Sequence, residues 1–165
     1  MAEFVVYHHP ERMGYPADSV RGFSLLTNKN LPSVVGSRVW LLTGEGRPRT
    51  YYLRGYFTPT RRMRTEEAGF AWLVEGPRTS GIKLPRYRWP VLNDTDWFRD
   101  FRRSQGSFAF GLQAIREKRY VRGLEAAFRQ AHESRRSRSR PRGTQAAGRG
   151  AGSGSPPTAG RPGRS

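Results

Sequence analysis

The amino-acid sequence predicts an α+β fold, in which a small curled β-barrel of about six strands is flanked by helices and followed by a disordered tail. Two patterns predict this class. Short runs rich in Val, Thr, Leu and aromatic residues alternate with Gly, Pro and Asn turn signals as far as residue 84, which is typical of a small barrel or sandwich. Apolar residues at helical spacing follow as far as residue 132, and the composition then changes sharply.

Six runs are predicted as strands because each is short, rich in β-forming residues and bounded by turn residues. The fourth run is the longest, and its Gly55 predicts a bulge or bend where the sheet curls over. Closure into a barrel would need such a bend. The six runs are residues 3–7, 22–28, 38–42, 50–58, 70–75 and 81–84.

Two helices are predicted after the strands. The polar side chains of residues 93–96 can cap the first, which ends near Arg103 and buries Trp97, Phe98 and Phe101. The second helix covers residues 117–131 and has an apolar stripe from Tyr120 to Ala131. Its other side carries Arg116, Arg119, Arg122 and Arg129.

The chain is predicted to contain one folded domain, residues 1–132, and a basic tail, residues 133–165. The tail consists mainly of Arg, Gly, Ser, Ala and Pro and has no aromatic or branched apolar residue. Nothing in it offsets the entropy that ordering costs, so we expect it to be disordered. Its expected role is an electrostatic tether, and the alternative is a terminal extension without a role.

The net charge of +17 at pH 7 predicts an anionic partner. Residues 1–132 carry 22 Lys and Arg against 12 Asp and Glu, and residues 133–165 carry eight against one. A small fold with this excess repels itself unless an anion neutralises it, and a phosphate backbone is the commonest such anion. We therefore predict a nucleic acid, DNA or RNA, as the partner. Membrane surfaces and acidic proteins are the alternatives.

Several classes of protein are disfavoured by what the sequence lacks. Without cysteine there is no disulfide framework, no thiolate zinc site and no cysteine nucleophile. No run approaches the ~18 apolar residues of a membrane helix, and residues 1–10 do not have the pattern of a signal peptide. We expect a cytoplasmic protein with no membrane partner, no cofactor and no bound metal.

A catalytic site is not predicted, because triads and metal sites need convergent His and carboxylate groups and the only histidines are His8, His9 and His132. His8 and His9 followed by Glu11 are the exception, since they could act on a phosphodiester or hold a metal. Adjacent residues of a strand point to opposite faces, so the two histidines are interpreted as strand-end or cleft residues. An enzyme that processes nucleic acid with these three residues remains an alternative.

Basic residues that alternate with aromatic rings suit a surface that neutralises phosphate while it stacks a base. Trp40, Trp72 and Trp97 are interpreted as core residues. Residues 61–64, Arg-Arg-Met-Arg, are predicted to form a loop in which three guanidiniums grip consecutive phosphates. The rings that alternate with arginines are Tyr7, Tyr51, Tyr52, Tyr56, Tyr87 and Trp89. The arginines predicted to hold phosphates are Arg54, Arg61, Arg62, Arg64, Arg86 and Arg88.

The order of segments is similar to that of a known superfamily. An extended segment at 22–30 precedes Val-Val-Gly-Ser-Arg-Val-Trp-Leu-Leu at 34–42, and a later strand ends in Gly-X-Phe at 55–57. This resembles the PUA-like superfamily, with its EVE, YTH and ASCH branches, in which a hydrophobic-x-x-Gly-Asp-x-Val-hydrophobic element leads into a strand beside the ligand cleft. Ser37 stands where that superfamily usually has Asp. The resemblance covers residues 3–112.

The resemblance implies a curled PUA-like barrel that reads nucleic acid, with a modified or flipped base held in an aromatic pocket. An extruded base loses stacking, which aromatic faces replace while amide, hydroxyl and backbone groups read its edge. The residues that the resemblance implies for this pocket are Tyr7, His8, Phe23, Asn28, Trp40, Trp89, Gln105 and Ser107. A module that binds an acidic protein remains the first alternative to such a reader.

Overall fold

The computed structural model describes residues 1–19, 22–109 and 111–134. The predicted tail, residues 133–165, lies outside the described residues from residue 135 onward. The described residues form eight strands, where about six were predicted. They are β1 (Glu3–His8), β2 (Phe23–Thr27), β3 (Arg38–Glu45), β4 (Thr50–Phe57), β5 (Arg61–Arg64), β6 (Trp72–Gly76), β7 (Gly81–Lys83) and β8 (Gln113–Ala114).

Three α-helices accompany the strands within the described part of the chain. They are α1 (Pro10–Met13), α2 (Asp96–Ser104) and α3 (Lys118–Glu133). The two predicted helices correspond to α2 and α3, so a mixed α/β architecture is confirmed. Short 3₁₀ turns at Ala17–Ser19, Pro32–Val34, Glu67–Gly69, Arg86–Arg88 and Gly106–Phe108 connect the elements. None of the helices in the described ranges has the length and apolar character needed to cross a membrane.

The strands form two sheets. Five strands lie in the order β7-β4-β3-β1-β8, and three lie in the order β2-β6-β5. β1 and β3 are parallel, whereas the other neighbouring strands are antiparallel. Hydrogen bonds between the described strands do not close either sheet on itself.

Successive side chains of β1 and β3 point to opposite faces of the five-stranded sheet and belong to two separate hydrophobic cores. One face of the five-stranded sheet, with Val5 of β1 and Leu42 of β3, packs against α2 and α3 through Phe101 and Leu124. The opposite face packs against the three-stranded sheet and contributes Phe4, Val39 and Leu41. The five-stranded sheet is therefore the middle layer, because successive residues along its central strands contribute in turn to one core and to the other.

The bend predicted at Gly55 is a β-bulge. Gly55 pairs with Leu41 and Leu53 pairs with Leu42, so Arg54 is the additional residue of β4. The φ of Gly55 is 148°, and a Cβ there would overlap the backbone of β7. Only glycine allows β7 to pair at this position.

The strand β5 corrects the prediction that residues 61–64 form a loop. Three arginines give little strand propensity, but β5 pairs with β6 over four residues, with Arg61 opposite Glu75 and Arg64 opposite Trp72. Opposite charges and an aromatic ring across the strands stabilise this pairing. Pairing with β6, rather than the strand propensity of its own residues, makes this segment a strand.

Candidate nucleic-acid interface

Two arginines of β5 flank one tryptophan of β6. The Cζ of Arg62 lies 4.0 Å from the ring centroid of Trp72, and the Cζ of Arg64 lies 4.5 Å from it. The negative face of an indole ring attracts guanidinium groups, which explains how one ring holds two cations. Trp72 was predicted as a core residue, but its side chain is only partly buried, and it is the first residue of β6, the middle strand of its sheet.

The charges of these two arginines are not neutralised by acidic groups. Neither Arg62 nor Arg64 forms an ion pair with a carboxylate in the described part of the chain. Arg62 donates instead to the amide oxygen of Asn30. Arg61 differs, because it pairs with Glu75 across the strands. The predicted grip by three guanidiniums is therefore reduced to two that are available to an anion.

The loop after β2 connects this pair to a cleft. Asn28 accepts a hydrogen bond from the backbone N–H of Ala71 at 2.9 Å, so it supports the turn before β6 rather than a pocket. Lys29 donates its backbone N–H to the hydroxyl of Thr27 at 3.1 Å. Asn30 contacts Arg62, and its neighbours Lys29 and Leu31 line the cleft.

The cleft has a volume of about 430 Å³, within the range of about 300–1,000 Å³ of small-molecule sites. Its lining is mostly polar and comes from the loop after β2, the end of α2, β8 and the start of α3. Gln105 is the one residue of the cleft that was predicted for the base pocket. The full lining is Lys29, Leu31, Ser104, Gln105, Leu112, Gln113, Ala114, Arg116, Glu117 and Tyr120.

Gln105 is a buried amide with an incomplete set of hydrogen bonds. Gln105 is 5 % exposed, and its Oε1 has no hydrogen-bond partner among residues 1–19, 22–109 and 111–134. Its Nε2 is 3.5 Å from the hydroxyl of Ser104, and its backbone carbonyl accepts from Gln113 at 2.7 Å. A buried amide oxygen without a donor is costly, so it is a candidate position for ligand recognition.

Arg54 corrects the prediction that it holds a phosphate. Its side chain is 5 % exposed, because the guanidinium donates to the backbone carbonyl of Ala17 and its Cζ lies 5.5 Å from the ring centroid of Trp89. Burial lowers the pKa of Arg54 to about 10. The charge is thus enclosed by protein and cannot contact a surface-bound phosphate.

Other predicted residues gather around Arg54. Trp89 is buried and donates its indole N–H to the carbonyl of Leu84 at 2.9 Å. Arg86 lies 6.0 Å from the same indole ring, but its charge is compensated by Glu45 at 2.8 Å and by Asp18 at 3.4 Å. Arg88 lies over the ring of Tyr87 at 5.6 Å; Tyr87 is 83 % exposed.

Lys83 is a second cation on this side of the sheet. It donates to the backbone carbonyl of Gly22 and lies 5.2 Å from the ring centroid of Phe23. Burial, and to a lesser extent the charge of Arg54, lowers the pKa of Lys83 to about 8. Phe23 itself stacks on Phe57 at 5.3 Å in the core between the sheets.

Tyr7 and Trp40 belong to the core next to the helices, not to an open pocket. Tyr7 stacks on Phe108 with ring centroids 5.3 Å apart, and its hydroxyl accepts from Arg49 at 3.0 Å. Trp40 is 1 % exposed and donates its indole N–H to Glu3 at 2.9 Å. Neither ring offers a free face on which an extruded base could stack.

The turn after Gln105 adopts an unusual conformation. Gly106, Ser107 and Phe108 have φ values of 54°, 53° and 62°. Non-glycine residues rarely adopt the left-handed region, and they do so where packing holds them. Here the buried ring of Phe108 provides the packing, while the predicted pocket residue Ser107 is exposed.

The two adjacent histidines have different partners. His8 donates from Nε2 to the carbonyl of Tyr15 at 2.9 Å, whereas His9 donates from Nε2 to the carbonyl of Phe108 at 3.3 Å. Burial lowers the pKa of both rings. Glu11 pairs with Arg49 at 2.7 Å, so these three side chains do not converge on one point.

The structure therefore divides the predicted site residues. Arg62 and Arg64 lie on β5, and the buried Gln105 lines the cleft. His8, Arg86 and Trp89 instead lie near the buried Arg54. Trp72, Lys29 and Gln113 were not predicted as site residues, whereas Arg116 was predicted on the basic side of the second helix. The sequence did contain a pattern that indicates Trp72. Arg62 and Arg64 alternate with Met63, so on a strand both arginines share one face, where an aromatic ring of a neighbouring strand can contact them.

Comparison with family models, with curated proteins and with solved structures finds no match to this chain.

Proposed function

We propose that this chain binds nucleic acid, DNA or RNA, and reads a modified or flipped base. The observation that carries the proposal is the surface formed by Arg62, Trp72 and Arg64, in which two guanidiniums without acidic partners lie against one indole ring. Guanidinium groups bind phosphate oxygens bidentately. The partly exposed indole and the guanidinium planes that lie against it provide flat faces on which a base can stack.

The positions of these groups support binding of a strand rather than of a single anion. Arg62 and Arg64 are two residues apart on β5 and both contact the ring, so two phosphates of a strand can be neutralised beside the indole. The loop with Asn30 continues the surface to the cleft with Lys29 and Arg116. The net charge of +17 adds a long-range attraction that is independent of sequence.

Salt dependence of binding by the full chain tests the proposal. Each phosphate contact that is lost lowers the magnitude of the slope of log K against log salt by about 0.7–0.9. The double variant Arg62→Ala and Arg64→Ala should therefore reduce the slope by about 1.5. The matched control is Arg78→Ala with Arg99→Ala, which removes two exposed arginines elsewhere.

The outcomes separate the proposal from its alternatives. An equal slope change in both double variants would show that only total charge matters, and it would remove this surface from the account. Absence of binding to any oligonucleotide, with no raised 260/280 absorbance ratio in the purified protein, would favour an acidic protein as the partner. Turnover of a nucleic acid that disappears in a variant with His8→Ala and His9→Ala would favour an enzyme.

We also propose that the two sheets correspond to the curled barrel of the PUA-like superfamily. The support is the order of segments together with the bulge at Gly55. Ser37, which stands where that superfamily usually has Asp, donates its hydroxyl to the carbonyl of Ser33 at 2.7 Å and closes the turn before β3. Failure of the two sheets to superpose on the barrel of a PUA-like protein would contradict this proposal.

A further inference from the structure

The cleft next to Gln105 has a few apolar side chains within its mostly polar lining. Leu31, Leu112 and Tyr120 contribute the apolar part. Leu112 and Tyr120 are almost fully buried, and the hydroxyl of Tyr120 accepts from Arg119 at 2.7 Å. Apolar side chains beside polar atoms suit a planar heterocycle with a polar edge.

The charges around the cleft favour a ligand that carries phosphate. Lys29 and Arg116 form no ion pair with a carboxylate within the described ranges. Glu117, the acidic residue of the lining, is neutralised by Arg119 at 2.7 Å. The remaining field at the cleft is therefore positive, which suits the backbone of a nucleotide.

The unpaired Oε1 of Gln105 determines which base edge fits. An amide oxygen accepts hydrogen bonds and cannot donate them, so its partner must present an N–H. The amino groups of cytosine, adenine and guanine do so. In uracil and thymine the N3–H lies between two carbonyl oxygens. These oxygens carry a negative partial charge, as Oε1 of Gln105 does, so they would repel it.

The backbone of Gln105 is held in place at the end of α2. Its N–H donates to the carbonyl of Phe101 at 3.0 Å, and its carbonyl accepts from the N–H of Phe108 at 2.9 Å and from the side chain of Gln113 at 2.7 Å. A residue whose backbone is already fixed loses less entropy when its side chain binds a ligand.

We propose that this cleft is the base-reading site of the chain and takes a nucleobase with an exocyclic amino group, which donates to Oε1 of Gln105. The inference rests on the proposed function, because a strand held at Arg62 and Arg64 brings its bases to the cleft. Trp72 then stacks one base, and the cleft selects another.

Cytosine and uracil give a matched pair of ligands, because they have the same ring size and differ at C4, where cytosine has an amino group and uracil has a carbonyl. The experiment measures anisotropy of labelled oligocytidine and oligouridine of equal length, as DNA and as RNA, with the full chain. Wild-type protein should bind the cytidine strands about five- to tenfold more tightly, the difference expected from one additional buried hydrogen bond. The DNA and RNA arms show which sugar is preferred.

Gln105→Met should remove the preference for cytidine and leave uridine affinity within about twofold. Gln105→Glu keeps an acceptor oxygen and should retain the preference. The control is Gln130→Met, which removes an exposed amide of α3 and should behave as wild type. If Gln105→Met does not fold, as judged by circular dichroism, Leu31→Trp fills the cleft from a partly buried position and should remove the preference instead.

Equal affinity of the wild type for cytidine and uridine, or a preference that persists in both Gln105→Met and Leu31→Trp, would overturn the base-reading site. The proposed function would then stand if the Arg62 and Arg64 double variant still reduced the salt slope. No binding of any strand would overturn both.

Discussion

The guanidinium of Arg62 lies over the indole ring of Trp72, with 4.0 Å between the Cζ atom and the ring centroid. Arg64 approaches the same ring, so β5 presents two cations at an exposed sheet edge. Charged side chains on the edge strand of a sheet prevent that strand from pairing with strands of other chains. The same feature makes this edge suitable for an anionic strand, whose phosphates replace the missing carboxylates.

Replacement of Trp72 tests whether the ring stacks a base. Stacking on an aromatic side chain contributes about 1–3 kcal/mol per base, so Trp72→Ala should weaken binding of single-stranded oligonucleotide by about five- to 150-fold. Trp72→Phe keeps a smaller flat ring and should lose much less. Fluorescence anisotropy at constant salt provides the measurement, and equal affinity of Trp72→Ala and wild type would exclude stacking on this ring.

The buried position of Arg54 leads to an expectation about stability rather than binding. Its Nε has no hydrogen-bond partner in the described part of the chain, and burying a cation costs several kcal/mol unless it is paired. Arg54→Met should therefore leave the free energy of unfolding within about 1 kcal/mol of wild type. Arg54→Ala should lower it by about 2–4 kcal/mol because a cavity remains.

Urea titrations of the two Arg54 variants measure these values. Both variants should bind oligonucleotides as the wild type does. A loss of affinity in Arg54→Met without a loss of stability would mean that the guanidinium reaches the ligand, contrary to its enclosure by Ala17 and Trp89.

The pH dependence of stability should reveal Lys83. Burial lowers the pKa of Lys83 to about 8 in the folded state, below about 10.4 in the unfolded chain. Between these values the unfolded state binds more protons, so this group makes stability rise with pH from about 8 to about 10.4. Lys83→Met should remove this component, seen as the difference between urea titrations of the two proteins at pH 7.5 and pH 9.5. An identical pH profile for wild type and variant would contradict the burial.

Gly55 and Gly36 form a matched pair for testing the bulge. Both have positive φ, 148° and 79°, but a Cβ at Gly36 meets nothing within 4 Å, whereas at Gly55 it meets the backbone of β7. Gly36→Ala should cost about 1–2 kcal/mol of stability from backbone strain alone. Gly55→Ala should cost at least about 2 kcal/mol more, and equal losses in thermal unfolding would show that β7 does not pack closely there.

Local patterns were sufficient to predict most of the secondary structure. Runs such as β1 and β4 consist of strand-forming residues between turn signals, and the stripe from Tyr120 to Phe128 has helical spacing. They were not sufficient for β5, whose arginines become a strand because Glu75 and Trp72 lie opposite. They also missed β8, which has two residues and is defined by pairing with β1 from over a hundred residues away.

The site was less predictable, because burial depends on contacts between distant segments. Arg54 looks like a surface residue in sequence, but a bulge and the carbonyl of Ala17 enclose it. Tyr7 and Trp40 were predicted for an aromatic pocket, yet both are buried in the core next to the helices. Gln105 was predicted for a pocket by resemblance, and the cleft that it lines is formed with Lys29 and Arg116 rather than with the predicted tryptophans.

The most direct test of the account is titration of ¹⁵N-labelled protein with a single-stranded oligonucleotide, followed by the indole N–H signals of its tryptophans. The indole N–H of Trp40 is bonded to Glu3 and that of Trp89 to Leu84, so both report on the interior. The Trp72 signal should shift with ligand concentration, while those of Trp40 and Trp89 should not. Shifts at Trp40 or Trp89 with an unchanged Trp72 signal, or no shift at any tryptophan, would contradict binding at the surface of Arg62, Trp72 and Arg64.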